Sequence, residues 1–424
     1  MAATAPAGPL LVVLPTDWDL EELTPERQPG WRFEAIGRHR DELAGGFDPL
    51  AFVRASAARW RGAASGVLGT DDYLACVLGP ALARELGLPG PAPETVLLCQ
   101  HKYYCRLEQR RLVPRATPRF EVAAPVQLDP EQPPLPYPFF LKPVRGTFSL
   151  LARRVDGPGD MLALFHNPPG PLDRGLALLE PFHQLLRHYG DGRFLLDGRR
   201  FLLEELLSGC QVTVEGFVHR GRATVMGVVD SVLHPATGSF LRFEYPSRLP
   251  QAVQDRMGAI AATLMEGIGF DAGLFNVEMF HDAGRDDISI IEVNPRMSYQ
   301  FADLHEKVDG TGSYSVAVAL AAGKEPRWRA RNGPFRTAAS FVLRTDRDAV
   351  VRRVPDEEDL ERLRRRFPEA RVRTFHRPGE RLSAAMQDGC SFRYGLVHLG
   401  GDGEADLKAR CAEALAMLPF ELAD

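Results

Sequence analysis

Two apolar runs separated by a short polar turn confine the middle of this chain to an antiparallel hairpin: Asn276-Val277-Glu278-Met279-Phe280, then Ile288-Ser289-Ile290-Ile291-Glu292-Val293-Asn294-Pro295-Arg296. Alternate residues of a strand face one side, so Asn276, Glu278 and Phe280 share a face, as do Glu292, Asn294 and Arg296 of the partner. A turn centred near Arg285 sets Glu278 opposite Glu292. Two carboxylates that close repel unless a cation lies between them; with an amide oxygen they make a hard oxygen site for magnesium or manganese. Arg296 is then free to hold an anion. The competing reading is a solvated hairpin whose Glu residues face water, and the apolar character of both runs weighs against it.

A chain of 424 residues, 45% hydrophobic and 25% charged, is long enough for two or three domains with their own cores. The net charge of −5 gives no basic footprint, so nucleic acid is not an expected partner. The start, Met1-Ala2-Ala3-Thr4-Ala5-Pro6, lacks a basic stretch before an apolar core, and Leu10 to Pro15 is too short to span a bilayer. The expectation is a cytoplasmic protein without a membrane partner. Cys76, Cys99, Cys105, Cys210, Cys390 and Cys411 show no CxxC pair and no metal spacing, and are read as reduced packing residues. Basic residues are nearly all arginine, with lysine only at 102, 142, 307, 324 and 408. A lysine kept against that bias suggests a need for a compact point charge that can follow a phosphate.

Along the chain, Leu10 to Leu14 reads as a strand buried in a parallel sheet. A second strand, Gly66 to Gly69, precedes a helix expected from Tyr73 to Leu86, with Asp71 as N-cap and Gly87 as its stop. No GxGxxG fingerprint occurs in this unit. A helix from Pro93 carries Lys102 and Arg106, and a Pro-rich linker runs from Pro125 to Pro138. Strand Phe139 to Val144, turn Arg145-Gly146-Thr147-Phe148-Ser149 and return strand Leu150 to Val155 follow, then the run Phe201 to Leu207. Strands Gln211 to Val218 and Ala223 to Val232 and a helix from Gln251 to Gly267 lead into the hairpin. The tail has strands, a charged helix around Asp356 to Arg366, and a helix from Ala405 to Met417.

Lys142 lies directly before a turn holding Gly, Thr and Ser, so an ammonium and several backbone N–H groups can face one anion; Gly-rich hairpin turns are also common without any ligand. Glu204-Glu205-Leu206-Leu207 ends an apolar strand, where a carboxylate and open backbone could read an adenine edge, or could simply end in water. Gln211 and Glu215 share a face of the next strand and could reach ribose hydroxyls or a second cation.

The order Lys102, Lys142 with its loop, Glu204-Glu205, Glu278, then Glu292-x-Asn294-x-Arg296 resembles the ATP-grasp superfamily, in its carboxylate-amine ligase form related to biotin carboxylase. The Glu-Val-Asn-Pro-Arg segment is the most specific part. The resemblance implies an α/β and α+β multidomain chain. It would have a Rossmann-like N-terminal domain (1–96), an ATP-grasp domain (97–332, lid about 136–206) and a C-terminal α+β domain (333–424). It implies that Lys102 and Lys142 contact the phosphates of ATP, that the loop with Gly146, Thr147 and Ser149 closes over them, and that Glu204, Glu205 and Leu207 hold adenine. Gln211 stands where many members carry a ribose-binding glutamate, so that contact is weaker or passes to Glu215. Glu278, Glu292 and Asn294 would bind magnesium or manganese, and Arg296 would sit near the transferred phosphoryl group or the substrate carboxylate.

The implied reaction joins a small-molecule carboxylate to an amine through an acyl phosphate, releasing ADP and phosphate, and a homodimer is a further expectation from the family. Carboxylation with bicarbonate and a non-catalytic ATP-binding protein are the alternatives. After Arg296 many amide-forming relatives continue into a Gly-Gly loop, whereas this chain has Met297-Ser298-Tyr299-Gln300-Phe301. His305 and Glu306 beyond it read as base or substrate contacts, or as structural residues.

Overall fold

The computed structural model describes residues 8–41, 46–124, 128–146, 152–166, 179–190, 192–196, 198–384 and 391–423. The continuous apolar run becomes β1 (Leu10–Val13), the buried centre of a parallel sheet ordered β2-β1-β3, with β2 at Phe33–Ile36 and β3 at Gly66–Leu68. Helices α1 (Asp17–Glu22), α2 (Pro49–Trp60) and α3 (Ala75–Leu86) belong to this unit. Short β2 and its following helix carry little periodic signal, and sequence reading passed over them. α3 stops at Gly87 in the left-handed conformation (φ 68°), as expected. Its start differs from expectation: Leu74 holds the N-cap position without a side-chain bond, and Asp71 accepts from the Tyr73 N–H at 3.2 Å instead. That turn leaves the neighbouring Asp72 to face the rest of the molecule.

The single helix expected from Pro93 is two, α4 (Pro93–Gln100) and α5 (Lys102–Leu112), broken at His101, whose extended ψ of 92° interrupts the ladder. The break makes Lys102 the first residue of α5 and frees its N–H to donate to Val144 O at 2.7 Å. A four-stranded antiparallel sheet follows, ordered β4-β7-β5-β6: β4 Phe120–Ala123, β5 Phe139–Pro143, β6 Arg153–Val155 and β7 Phe201–Glu205. Helices α6 (Pro158–His166) and α7 (Glu180–Tyr189) lie between β6 and β7 in sequence. Alternation decides its two faces: Phe139, Leu141, Phe201 and Leu203 pack into one core, and Lys142 and Glu204 emerge on the other side. Thr147, Phe148 and Ser149 of the expected phosphate loop lie outside the described residues.

The largest element is an eight-stranded sheet ordered β12-β11-β8-β9-β10-β13-β16-β15. Its strands are β8 (Cys210–His219), β9 (Arg222–Leu233), β10 (Phe240–Tyr245), β11 (Gly273–Asp282), β12 (Asp287–Asn294), β13 (Thr337–Thr345), β15 (Arg371–Thr374) and β16 (Phe392–Gly401), while β14 (Val350–Arg353) pairs separately with β17 (Glu421–Ala423). Helix α8 (Gln251–Gly267) buries Met257, Ala261, Leu264 and Met265 in a core shared with Val212, Val214 and Val277. Helices α9 (Tyr299–Asp309) and α10 (Ser313–Ala321) follow the hairpin, and α11 (Glu357–Arg366) and α12 (Glu404–Met417) complete the tail. The sheet runs through residue 333 unbroken, because β10 pairs with β13 (Arg242 opposite Phe341). Among the described residues no helix is long and apolar enough to cross a membrane.

Buried charges tie these layers together. Asp19 of α1 accepts from Thr70 after β3 and from Tyr314 of α10 at 2.7–3.0 Å. Asp303 of α9 meets Lys307 (2.5 Å), His398 of β16 (3.2 Å) and Arg371 of β15 (2.8 Å).

Candidate active site

The hairpin forms in the expected register: Asn276 opposite Asn294 and Glu278 opposite Glu292. Beyond Glu278 the register shifts, with Met279 facing Ile290, so Ile291 is one extra residue on β12, a β-bulge. Its carbonyl, turned out of the ladder, accepts from Lys142 Nζ at 3.1 Å and from Arg106 Nη2 at 2.7 Å. The bulge thus connects the hairpin to the four-stranded sheet and to α5.

Around the carboxylates, Gln211 Nε2 donates to Glu278 Oε2 at 3.1 Å, and Asn294 Nδ2 lies 3.4 Å from Glu278 and 3.5 Å from Glu292. Lys102 Nζ stands 3.2 Å from Glu292 and 3.3 Å from Gly146 O. Burial, then the charge of Glu292, pushes the Glu278 carboxyl up to about 7. Burial works against ionisation of Glu292 as well, but the Lys102 and Lys142 ammonium groups outweigh it and hold that pKa below the ordinary carboxylate value. Two facing carboxylates with a carboxamide beside them, one paired to a single lysine and the other held up by its neighbour's charge, have room for more positive charge. Among the described residues no three His, Cys, Asp or Glu side chains form a ready cage. Magnesium does not need one, since one or two carboxylates plus substrate phosphates and water are its usual ligands. Glu278, Glu292 and Asn294 therefore fit magnesium.

Several expected contacts come out differently. Glu204 is nearly fully buried and accepts from Arg106 Nε at 2.6 Å and Lys142 Nζ at 2.7 Å, so its carboxylate is not open to adenine. Burial opposes its charge, and the two cations win, lowering its pKa. Glu205 accepts from the backbone N–H and Nε of Arg119 at 2.8 and 2.9 Å, which likewise occupies it. Leu207 lies just past the end of β7. Lys142 reaches the site's edge through Ile291 O but is itself buried, which lowers its pKa against the pull of Glu204.

Glu215 does not reach towards a ribose. Its Oε2 meets His305 Nε2 at 2.9 Å and its Oε1 accepts from the Ser298 N–H at 3.0 Å. His305 is fully buried, and its Nδ1 lies 3.1 Å from Asp309 Oδ2. Burial alone would lower this imidazole's pKa, but hydrogen bonds to Asp309 and Glu215 raise it to about 9, so it is an imidazolium between two carboxylates. The structural reading of His305 is the one observed, while Glu306 pairs with Arg27 and Arg371 at 2.6 and 3.1 Å.

Nor is Arg296 free. Its Nε donates to Asp72 Oδ1 at 2.8 Å and its Nη1 to Met297 O at 3.2 Å. Burial opposes ionisation of Asp72, yet Arg296 and Arg145 bring its carboxyl down to about 2. Arg145 is buried and also donates to the carbonyls of Asp72 and Tyr73 at 3.1 and 2.9 Å. Sequence reading missed Asp72, Arg145 and the role of Arg106. One signal was available: two consecutive aspartates just past the carboxyl end of a parallel strand, where α/β sheets place ligand sites.

Residues 135–305 match the ATP-grasp domain family. No curated protein matches the chain. Among solved structures, an L-amino acid ligase from Bacillus licheniformis superimposes with a TM-score of 0.69 at 16% identity, covering 98% of this chain and 99% of that one. Phosphoribosylglycinamide synthetase from Anaerococcus prevotii gives 0.65 at 12% identity, with 98% and 99% covered. The biotin carboxylase domain of Hydrogenobacter thermophilus 2-oxoglutarate carboxylase, in complex with MgADP and bicarbonate, gives 0.66 at 14% identity, with 98% and 91% covered. At these identities the likeness is one of fold.

Proposed function

We propose that this chain, whose residues 135–305 match the ATP-grasp domain family, is an enzyme joining a small carboxylate to an amine, with ATP cleaved to ADP and phosphate. The observation that carries this reading is the hairpin register that sets Glu278 against Glu292, with Asn294 beside them and Lys102 and Lys142 at its edge. This collects oxygen ligands and point charges where a triphosphate needs both.

Magnesium held by Glu278, Glu292 and Asn294 would neutralise charge on the phosphoryl oxygens. Lys102, 3.2 Å from Glu292, presents its ammonium beside that position, and Lys142 is oriented towards it by Glu204 and Ile291 O. Past Glu205 the strand end meets the base with its backbone, since both glutamate carboxylates are engaged. Arg296, steadied by Asp72, binds the carboxylate to be activated. No protein nucleophile takes part: the substrate carboxylate attacks the γ-phosphate, and the amine then displaces phosphate from the acyl phosphate.

The test is ADP release with MgATP across a matrix of carboxylic acids and amines, with bicarbonate as a separate arm. Release that requires both an acid and an amine supports the reading. Release with bicarbonate alone, or tight MgATP binding without turnover on any pair, overturns it. Lys142→Ala should weaken ATP binding on the order of tenfold or more, as a charge-assisted phosphate contact is lost, measured by calorimetric titration with a non-hydrolysable analogue.

A further inference from the structure

A cavity opens beside Arg296 between the N-terminal parallel sheet and the hairpin, walled by Leu68 and Gly69 of the β3 end, Ala83 of α3, Leu274 of β11, and Ala317 and Leu320 of α10. It leaves about 70 Å³ to the centre of a water-sized sphere, on the order of five times what one water requires. Only three residues of its lining carry polar side chains, Thr70, Cys76 and Arg296. Two of these are engaged: the Thr70 hydroxyl donates to Asp19, and Cys76 Sγ donates to Asp72 O at 3.1 Å. Away from Arg296, a polar or charged group placed here would meet mostly apolar side chains and would lose hydration without regaining an equal set of partners. The space suits hydrocarbon.

The third polar residue sets the other end of the ligand. Arg296 uses Nε on Asp72 and Nη1 on Met297 O, and its Nη2 makes no hydrogen bond with the described residues. That leaves the Nη2 amino group for an anion at the wall of a mostly apolar chamber.

We propose that this cavity takes the side chain of the acid substrate, and that the acid is a monocarboxylate or α-amino acid with a neutral aliphatic side chain of valine to leucine size, its carboxylate on Arg296. The assignment rests on the ligase reading above and adds the substrate class to it. Each methylene taken into such a chamber is worth roughly fourfold in affinity, so the enzyme favours leucine-sized over alanine-sized acids, and rejects aspartate and lysine, whose charges would be stranded.

Two measurements test it. The first is kcat/KM, by ADP release with one fixed amine, for glycine, alanine, valine, leucine, aspartate and lysine as acids. It is repeated on Ala317→Phe, which fills the cavity, and on Leu320→Ala, which enlarges it. The expected result is a rise from glycine to leucine, a drop of at least about tenfold for leucine but not alanine in Ala317→Phe, and a shift towards larger acids in Leu320→Ala. Turnover with the charged acids preferred, or with all acids reduced alike in Ala317→Phe while Leu320→Ala changes nothing, overturns the cavity assignment and leaves the ligase reading standing. The second needs no turnover: 4-methylpentanoate should raise the melting temperature of the wild-type protein more than acetate does, and this difference should vanish in Ala317→Phe. Equal shifts from both acids in the wild type overturn the assignment even if no acid and amine pair is turned over, an outcome that would separately defeat the ligase reading.

Discussion

Glu292→Ala should lower kcat/KM by about 10³-fold or more, the scale seen when a preorganised charge is removed from a developing anion, while the protein stays folded. Glu292 is the better choice of the facing pair because it is partly accessible and its charge is already favoured by Lys102 and Lys142, whereas Glu278 is held up to about 7 by burial and by Glu292 itself. Removing Glu292 takes away a cation ligand and leaves Lys102 without its 3.2 Å partner. Two readouts belong together: steady-state ADP release, and magnesium-dependent binding of ATP followed by calorimetry. Both should fall. Near-normal turnover would remove the hairpin from the chemistry altogether.

His305→Leu should cost about 3–5 kcal/mol of stability, because it strands Glu215 and Asp309 as buried carboxylates without their shared cation. The imidazolium is enclosed by Glu215 of β8, Asp309 of its own helix, and the rings of Tyr245 and Trp328, while Asp309 also accepts from the Arg331 N–H at 2.8 Å. Its pKa is raised on folding, from 6.5 to about 9. The stability it contributes is therefore complete below pH 6.5 and is lost as pH rises through about 9, an amount of about 3 kcal/mol. Melting temperatures of the wild type and of His305→Gln, compared from pH 6 to 10, should converge as pH rises through that window. Parallel curves would show that the ring carries no proton in the folded state. Because Glu215 also holds the Ser298 N–H, two residues from Arg296, the same substitution should raise KM for the acid.

What could be read from the sequence follows interaction range. Strand alternation over five residues was enough to set Glu278 against Glu292, and the lysine bias singled out Lys102 and Lys142. The same bias also marked Lys307, which neutralises buried Asp303, and Lys324, which lies 4.5 Å from the Trp31 ring, so scarcity alone did not separate a site from a structural charge. The differences from expectation all concern what a side chain is already bonded to. Glu204 looks open on its strand, yet Arg106, 98 residues earlier, occupies it. Arg296 looks free, yet Asp72, 224 residues earlier, holds it. Glu215 shares a face with Gln211 and looks able to reach a ribose or a second cation, yet a histidine 90 residues later holds it. Periodicity reports which face a residue is on; it carries no information about the partner that folding brings to that face. The continuity of the large sheet past residue 333 was hidden for the same reason, since β10 is a short strand whose partner lies almost a hundred positions away.

The extra residue at Ile291 also fixes how this gene can tolerate change. A one-residue deletion anywhere from Ile288 to Ile291 would heal the bulge, returning to the ladder the carbonyl that Lys142 and Arg106 share while the Glu278–Glu292 pairing survived. A one-residue insertion between Glu292 and Asn294 would send the asparagine and Arg296 to the opposite face of the strand. In families descended from this chain, length variation should accumulate in the turn at 283–286 and be absent from the nine positions 288–296, even where the residues themselves drift.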